Sequence, residues 1–477
     1  MLVCYLWKEI ALGTQQLWNC VETYWEHKDH ILLERSGRGP LKVLASGELK
    51  PRYAVARALQ NVEHSSRIQE LYWTGSLNGE YFGMPAPSLR SLALQDDKSH
   101  MPDGTLNLFD NHTPCLERLS LLCLFWLPSN AFVKLTFLAL DECEVPKAPI
   151  KLRSMLAETP NLVDLILRNV ADDSNRVPSR VETEPADMKP VSLTRLRRLL
   201  IKDMWVDDID YVFRDAQLNE DVSISIKAMP YNDDERRVLE VVSSWSLNAL
   251  KQPTQLHFQR RIAIITGASS GFRFEPRRCR TLEDWTAFNW PWILPLSSIS
   301  HLCMFELKAY KGRGLERVRN LLRQMTALQT LSVSIDVLTK IVDTLTLLRE
   351  PTDPPLCPTL TTLRIAIQKD SDCDVILDSV RSHRAQLGIK HLYIGLVNPQ
   401  NGHWTPRQTV KDQLQGNFES VNFGMLLYEK AYGITSPLVC DEEAHRLWLP
   451  WLYDADGESE SESESDSSDS SWDSDSD

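Results

Sequence analysis

One pattern of apolar positions recurs along the chain: an apolar residue, two variable ones, a second apolar residue, one variable, and a third. It occurs as Ile68-Leu71-Trp73, Leu89-Leu92-Leu94, Leu116-Leu119-Leu121, Leu135-Leu138-Leu140, Leu162-Leu165-Leu167 and Leu196-Leu199-Ile201. It returns as Ile299-Leu302-Met304, Leu328-Leu331-Val333, Leu360-Leu363-Ile365 and Ile389-Leu392-Ile394. The last two apolar residues of each unit lie two apart, so they point to one face of a short strand. The first sits on the incoming turn, and several units begin with a turn signal, as in PSLRSLAL and PTLTTLRI. Between units, stretches such as KLRSMLAETP and RVRNLLRQM carry apolar residues at helical spacing. The pattern therefore predicts strand, loop, helix and loop repeated in parallel, an α/β chain. No single strand buries its face alone, and stacking of neighbours makes the core.

Ten such units resemble a leucine-rich repeat solenoid, which implies a curved parallel sheet with helices outside. The unit Leu135, Leu138, Leu140, Cys143, Val145 matches best, with Cys where the repeat uses Asn or Cys inside the bend. Separations between first positions run from 19 to 34 residues on the N-terminal side and 29 to 32 on the C-terminal side, so the array is expected to be irregular. The alternative is an irregular α/β protein with Leu-rich strands. The stretch 172–190 is polar and Pro-containing, and is expected to be a disordered surface loop. The segment 202–298 scans poorly and is assigned to degenerate repeats.

Composition narrows the function classes. An apolar fraction of 43% and a charged fraction of 25% fit a globular chain of 477 residues. The C-terminal segment from Asp454 carries −11 of the net −13 and has no Lys or Arg, leaving the body close to neutral. That balance lacks the basic footprint of a nucleic-acid binder. The ten cysteines form no CxxC pair and sit mostly inside apolar runs, which fits reduced thiols and a cytoplasmic or nuclear location. The longest apolar run, Leu119 to Pro128, is about half of the ~20 residues a spanning helix needs. No membrane segment and no cofactor is expected.

Two stretches invite a chemical reading. RIAIITGASSGF (Arg261 to Phe272) resembles the glycine turn of short-chain dehydrogenases, in which glycines let backbone amides approach a pyrophosphate. Its third glycine falls on Arg273, and no tyrosine after Gly271 has Lys four positions on; the one such pair, Tyr24 and Lys28, lies far upstream. The same letters spell GxSxG around Ser269, the nucleophile elbow of an α/β-hydrolase, with no second motif for an oxyanion loop. A strand followed by an ordinary Gly/Ser turn is the expectation, and an enzyme built on GASSG the remote alternative. His27 and His30 share a charged turn without further metal ligands, and Trp285, Trp290 and Trp292 read as core or interface anchors.

The N-terminus, MLVCYLWKEIALGTQQLW, spaces Val3, Trp7 and Ile10-Ala11 helically and breaks at Gly13-Thr14. With Val3, Cys4, Trp7, Ile10, Ala11, Leu17 and Trp18 it resembles the second half of an F-box, and LLERSGRGPLKV (Leu32 to Val43) resembles the segment joining F-box to repeats in many fungal F-box proteins. The resemblance implies a Skp-type adaptor and a cullin ligase as partners. It also implies substrate recognition on the repeats, and no chemistry in the chain itself. A complete F-box begins with a further helix, so an incomplete start upstream of Met1 is the expectation, with folding back onto the first repeat as the alternative. The expected organisation is a partial F-box in 1–35, a linker in 36–67, the array in 68–452 and a disordered acidic tail in 453–477. In the tail, Ser461 and Ser463 each have an acidic residue three positions on and are candidate phosphate acceptors. A repeat scaffold without adaptor binding is the alternative function.

Overall fold

The structure is a computed structural model that describes residues 5–22, 29–46, 54–75, 79–96, 107–172, 189–227, 235–259, 262–276, 290–305, 314–346, 356–397, 404 and 406–426. These belong to the first of two units, Met1–Cys440; the second, Asp441–Asp477, lies outside the described residues, as does the 173–188 stretch.

Nineteen strands are present among the described residues. The N-terminal ones are β1 (Cys20–Glu22), β2 (Leu41–Ser46), β3 (Ile68–Thr74), β4 (Ser91–Gln95), β5 (Arg118–Leu122), β6 (Phe137–Asp141) and β7 (Asp164–Arg168). Then come β8 (Ser192–Leu193), β9 (Arg198–Lys202), β10 (Gln217–Leu218), β11 (Ser223–Lys227), β12 (Gln255–Gln259), β13 (Ile262–Thr266) and β14 (Gly271–Glu275). The last are β15 (His301–Met304), β16 (Thr330–Ser334), β17 (Thr362–Ile367), β18 (His391–Val397) and β19 (Ser420–Leu426). Short β8 and β10 pair with each other, and the other seventeen form one sheet.

Its registers run from β1 through β7 to β9 and β11, then β14, β13 and β12, then β15 to β19. All pairings are parallel except the two made by β13, which is antiparallel to both β12 and β14. The triplets fix this register. Leu71, Leu92, Leu119, Leu138, Leu165 and Leu199 are partners in sequence, each fully buried. Leu256, Leu302, Leu331, Leu363 and Leu392 continue the line beyond the antiparallel insertion. A slip of one residue in any strand would carry its leucines to the other face.

The region assigned to degenerate repeats differs from that expectation in one respect. After β11 the chain makes a three-stranded meander whose last strand, β14, lies beside β11 and whose first, β12, lies beside β15. The connections of β12 to β13 and of β13 to β14 are too short for a parallel crossover, which needs a dozen or more residues. The sheet also takes in strands before Ile68, because β1 and β2 join it without carrying a Leu triplet.

Helices connect many of the strands: Ala148–Ala157, Val206–Phe213, Gly314–Gln324, Ile335–Thr346, Asp372–Leu387 and Gln408–Gln415. Their apolar faces, for example Leu152, Leu156, Ile209, Val337 and Ile341, join the strand leucines in one contiguous core. No helix among the described residues is long and apolar enough to cross a membrane.

A backbone corner repeats where strands end. Gly75, Cys123, Glu142, Asn169 and Asp203 all adopt positive φ, and each donates its N–H to the carbonyl closing the next strand, at 2.8–3.2 Å. Asn, Asp and Gly tolerate this left-handed conformation, whereas Cys and Glu adopt it at some cost. Just past the corner after β6, Cys143 is fully buried, with its sulfur 3.6 Å from the Leu121 carbonyl. Burial pushes its thiol up to about 12.

Candidate interaction surfaces

At the N-terminus, the helix Tyr5–Gly13 is followed by a 3-10 turn, Gln15–Trp18. Thr14 ends the helix, its hydroxyl donating to the Ile10 carbonyl at 2.7 Å. The apolar side chains here are not taken up by the core: Tyr5 is 75% exposed, Trp7 65%, Leu17 63% and Ile10 46%. Trp18 has a different setting. Its indole N–H donates to the Ala11 carbonyl at 2.7 Å, and the Arg35 guanidinium lies 4.6 Å from its ring centre. Of the seven motif residues, then, Trp7, Ile10 and Leu17 face outward, Ala11 and Trp18 form an internal clamp, and Val3 and Cys4 lie outside the described residues.

The second surface is the face of the sheet opposite the core. Every strand presents its alternate residues there. On the N-terminal half, charges pair across neighbouring strands: Lys42 with Glu70 at 2.9 Å, Arg168 with Asp141 at 3.1 Å, and Arg198 with Asp164 through both nitrogens of the guanidinium fork. Between the charged rows runs an uncharged line of Ala93, Ser120, Ala139, Ile166 and Leu200.

From β12 to β19 this face changes character. On β12 and β15 to β19 it carries Gln255, His257, His301, Cys303, Thr330, Ser332, Ser334, Thr362, Arg364, Ala366, His391, Tyr393, Gly395, Ser420, Asn422 and Gly424, with no Asp or Glu among them, and Cys303, Phe305, Ala366 and Val397 pack together on it. Hydrogen bonds link neighbours: a His301 ring nitrogen lies 2.8 Å from the Ser332 hydroxyl, and one of His391 lies 2.8 Å from that of Ser420.

Cys303 and His301 approach to 3.3 Å, a pairing that in other settings makes a thiolate nucleophile. Here burial pushes the thiol up to about 12, while burial and then the Arg364 charge bring His301 down to about 4. Both groups are neutral at pH 7, so the pair holds no thiolate. Among the described residues no group of three or more His, Cys, Asp or Glu is placed to hold a metal ion.

The GASSG stretch is a turn between antiparallel β13 and β14, with Gly271 opening a strand. A phosphate-binding turn and a nucleophile elbow both require the strand to lead into a helix, and this turn does not. Gly267 is needed for packing: a Cβ there would lie 3.2 Å from the Ala249 Cα. Exposed Ser269 donates to the Asp221 carboxylate, which also accepts from Asn248 at 2.9 Å. Arg273, at the expected third glycine, pairs with Glu275 at 3.1 Å. Trp290 is fully buried against Phe258, with ring centres 5.3 Å apart. Tyr24, His27, Lys28, Trp285, Ser461 and Ser463 lie outside the described residues, as do the side chains of His30 and Trp292.

Sequence reasoning found the apolar N-terminal helix but not the acid-free strip around Arg364. The strip is assembled one residue per strand from positions about thirty apart, and each looks unremarkable in its own segment. No family model matches the chain, and no curated protein matches it.

Proposed function

We propose that this chain is a substrate-recognition subunit of an SCF-type ubiquitin ligase, resembling fungal F-box proteins with leucine-rich repeats. In this proposal the segment Tyr5–Trp18 engages a Skp-type adaptor, and the sheet belongs to an irregular leucine-rich-repeat solenoid whose open face holds a protein target. Transfer chemistry is left to the cullin ligase, and the site of action is cytoplasmic or nuclear. The observation that carries the reading is the outward display of Tyr5, Trp7, Ile10 and Leu17 on one short segment. Burying each such side chain stabilises by roughly 1.5–3 kcal/mol, and a contiguous apolar patch marks a surface that takes a partner. Trp18 supports it differently: clamped to Ala11 and Arg35, it holds the helix in place for docking.

The test is co-purification with a Skp-type adaptor, comparing the chain with Trp7→Ala and with Leu17→Ala. Capture that is lost in both variants, with unfolding unchanged, is the expected result. Failure to capture adaptor would favour the second reading, a repeat scaffold that binds its target alone.

A further inference from the structure

The apolar segment Tyr5–Trp18 meets the sheet at one corner of the chain, Ser36 to Gly39, between the helix Asp29–Arg35 and β2. The corner is closed by its own backbone. Gly37 donates to the Glu34 carbonyl at 3.2 Å, and Gly39 to that of Ser36 at 2.9 Å. One side of it seats the 3-10 turn that follows the N-terminal helix. Gly37 has φ +53°, and a Cβ there would lie 2.8 Å from the Gln15 amide nitrogen. A Cβ on Gly39 would lie 3.1 Å from the Asn19 side-chain oxygen. Residues without a Cβ let the turn sit this close. Beside them the Asn19 carbonyl accepts the Lys42 N–H of β2 at 2.8 Å, and Arg35 covers the Trp18 ring.

The other side of the corner is held by Arg67, the residue before the triplet that starts at Ile68. Its Nε donates to the Gly39 carbonyl at 2.8 Å, and one Nη donates to the Ser36 hydroxyl at 2.8 Å and the Ser36 carbonyl at 3.4 Å. Ser36 is fully buried, and its hydroxyl donates in turn to the Leu33 carbonyl at 2.7 Å. The Arg67 carbonyl accepts the Leu41 N–H at 3.0 Å, where β2 opens. Arg168 and Arg198 turn their guanidinium groups to aspartates across the sheet, whereas Arg67 turns its own to an uncharged corner.

We propose that Arg67 is a positioning residue for the N-terminal docking segment. By holding the Ser36–Gly39 corner against the start of the first Leu-triplet strand, it makes Tyr5–Trp18 a fixed extension of the sheet. The linkage passes from Arg67 to Ser36 and Gly39, then to Gln15 and Asn19, and through the Trp18 indole to the Ala11 carbonyl in the helix. A partner taken by Tyr5, Trp7, Ile10 and Leu17 is thereby held at a set angle to the open face. A surface already ordered in its binding conformation also spares the ordering cost of association. The inference rests on the docking role given above to this segment, but the linkage itself is read without adaptor.

Hydrogen–deuterium exchange of the full chain is followed in peptides covering Gln15–Glu22 and in peptides covering β4 to β7. The first set should be protected in the wild-type chain. Arg67→Gln should speed its exchange about tenfold or more, the loss expected of hydrogen bonds from a charged donor, and leave β4 to β7 unchanged. Arg67→Lys should recover part of the protection, since an ammonium lacks the fork that reaches both Ser36 and Gly39. Gly37→Ala should loosen the same peptides from the other side of the corner. Arg90→Gln, at an exposed position before β4, should change nothing. Arg67→Gln keeps every displayed apolar side chain, yet should weaken adaptor capture by about tenfold. Free exchange of Gln15–Glu22 in the wild-type chain, unchanged exchange in Arg67→Gln, or equal acceleration through β4 to β7 would overturn the linkage. Undiminished capture by an Arg67→Gln chain whose N-terminal peptides have loosened would overturn the positioning role. Absence of capture by the wild-type chain would instead overturn the docking reading, with the exchange pattern still reporting the linkage.

Discussion

Asn130 clasps Leu108 by both of its backbone groups: the carboxamide oxygen accepts the Leu108 N–H at 2.8 Å, and the amide nitrogen donates to the Leu108 carbonyl at 2.7 Å. Both residues are buried. One side chain therefore satisfies a loop segment that has no strand beside it. Asn130→Ala strands a buried donor and a buried acceptor, and should cost about 2–4 kcal/mol in urea unfolding. Asn130→Asp keeps the acceptor but sets a carboxylate against a carbonyl, so it should be less destabilising at pH 4 than at pH 7. Equal loss at both values would refute the clasp.

Leu138 sits in the middle of the buried line running from Leu71 to Leu199. Leu138→Ala should lower stability by about 2–5 kcal/mol, because neighbours on both flanking strands are fixed in register and cannot close the cavity. Val133→Ala, at a position 60% exposed, should stay within about 0.5 kcal/mol of wild type. Similar losses at the two sites would mean that the leucine line is not the core.

Acid should destabilise the C-terminal half through its histidines. Burial and then the neighbouring His301 bring His257 down to about 3, and His301 lies near 4. Both values are below the ordinary value near 6.5, so between them the unfolded chain binds the extra protons. The stability these neutral rings contribute is complete above about pH 6.5 and is lost as pH falls toward 4 and then 3. His257→Gln should flatten the stability profile between pH 6.5 and 4. An unchanged slope would show that the ring is already accessible to protons.

Ser269 latches the GASSG turn to Asp221. Ser269→Ala removes one of two hydrogen bonds to the exposed Asp221 carboxylate, and should change stability by about 1 kcal/mol or less. The wild-type chain should not label with a fluorophosphonate probe. Stoichiometric labelling that disappears in Ser269→Ala would restore the hydrolase reading of GASSG.

Much of the framework was legible from spacing alone. The triplets from Ile68 to Ile201 and from Ile299 to Ile394 all fall on parallel strands, because a strand buried on one face needs apolar residues two apart and the turn before it needs an anchor. The meander β12–β14 was not legible as such. RIAIIT reads as an apolar strand before a Gly/Ser turn, but direction depends on whether a connection is long enough to cross over, and the leucine pattern says nothing of that. The helix Tyr5–Gly13 was visible from Trp7 and Ile10. The split between outward Trp7 and inward Trp18 was not, since both are tryptophans at the edge of the same motif.

By itself the sequence determined the face of each Leu-triplet strand that is buried and the break at Gly13-Thr14, since these follow from local side-chain geometry within a few residues. The tertiary structure alone decided what meets across strands. It put Arg364 beside Tyr393, matched Arg198 to Asp164, and turned one strand antiparallel to its two neighbours. Those relationships join residues some thirty positions apart, and they exist only once every strand has taken its place in a shared register.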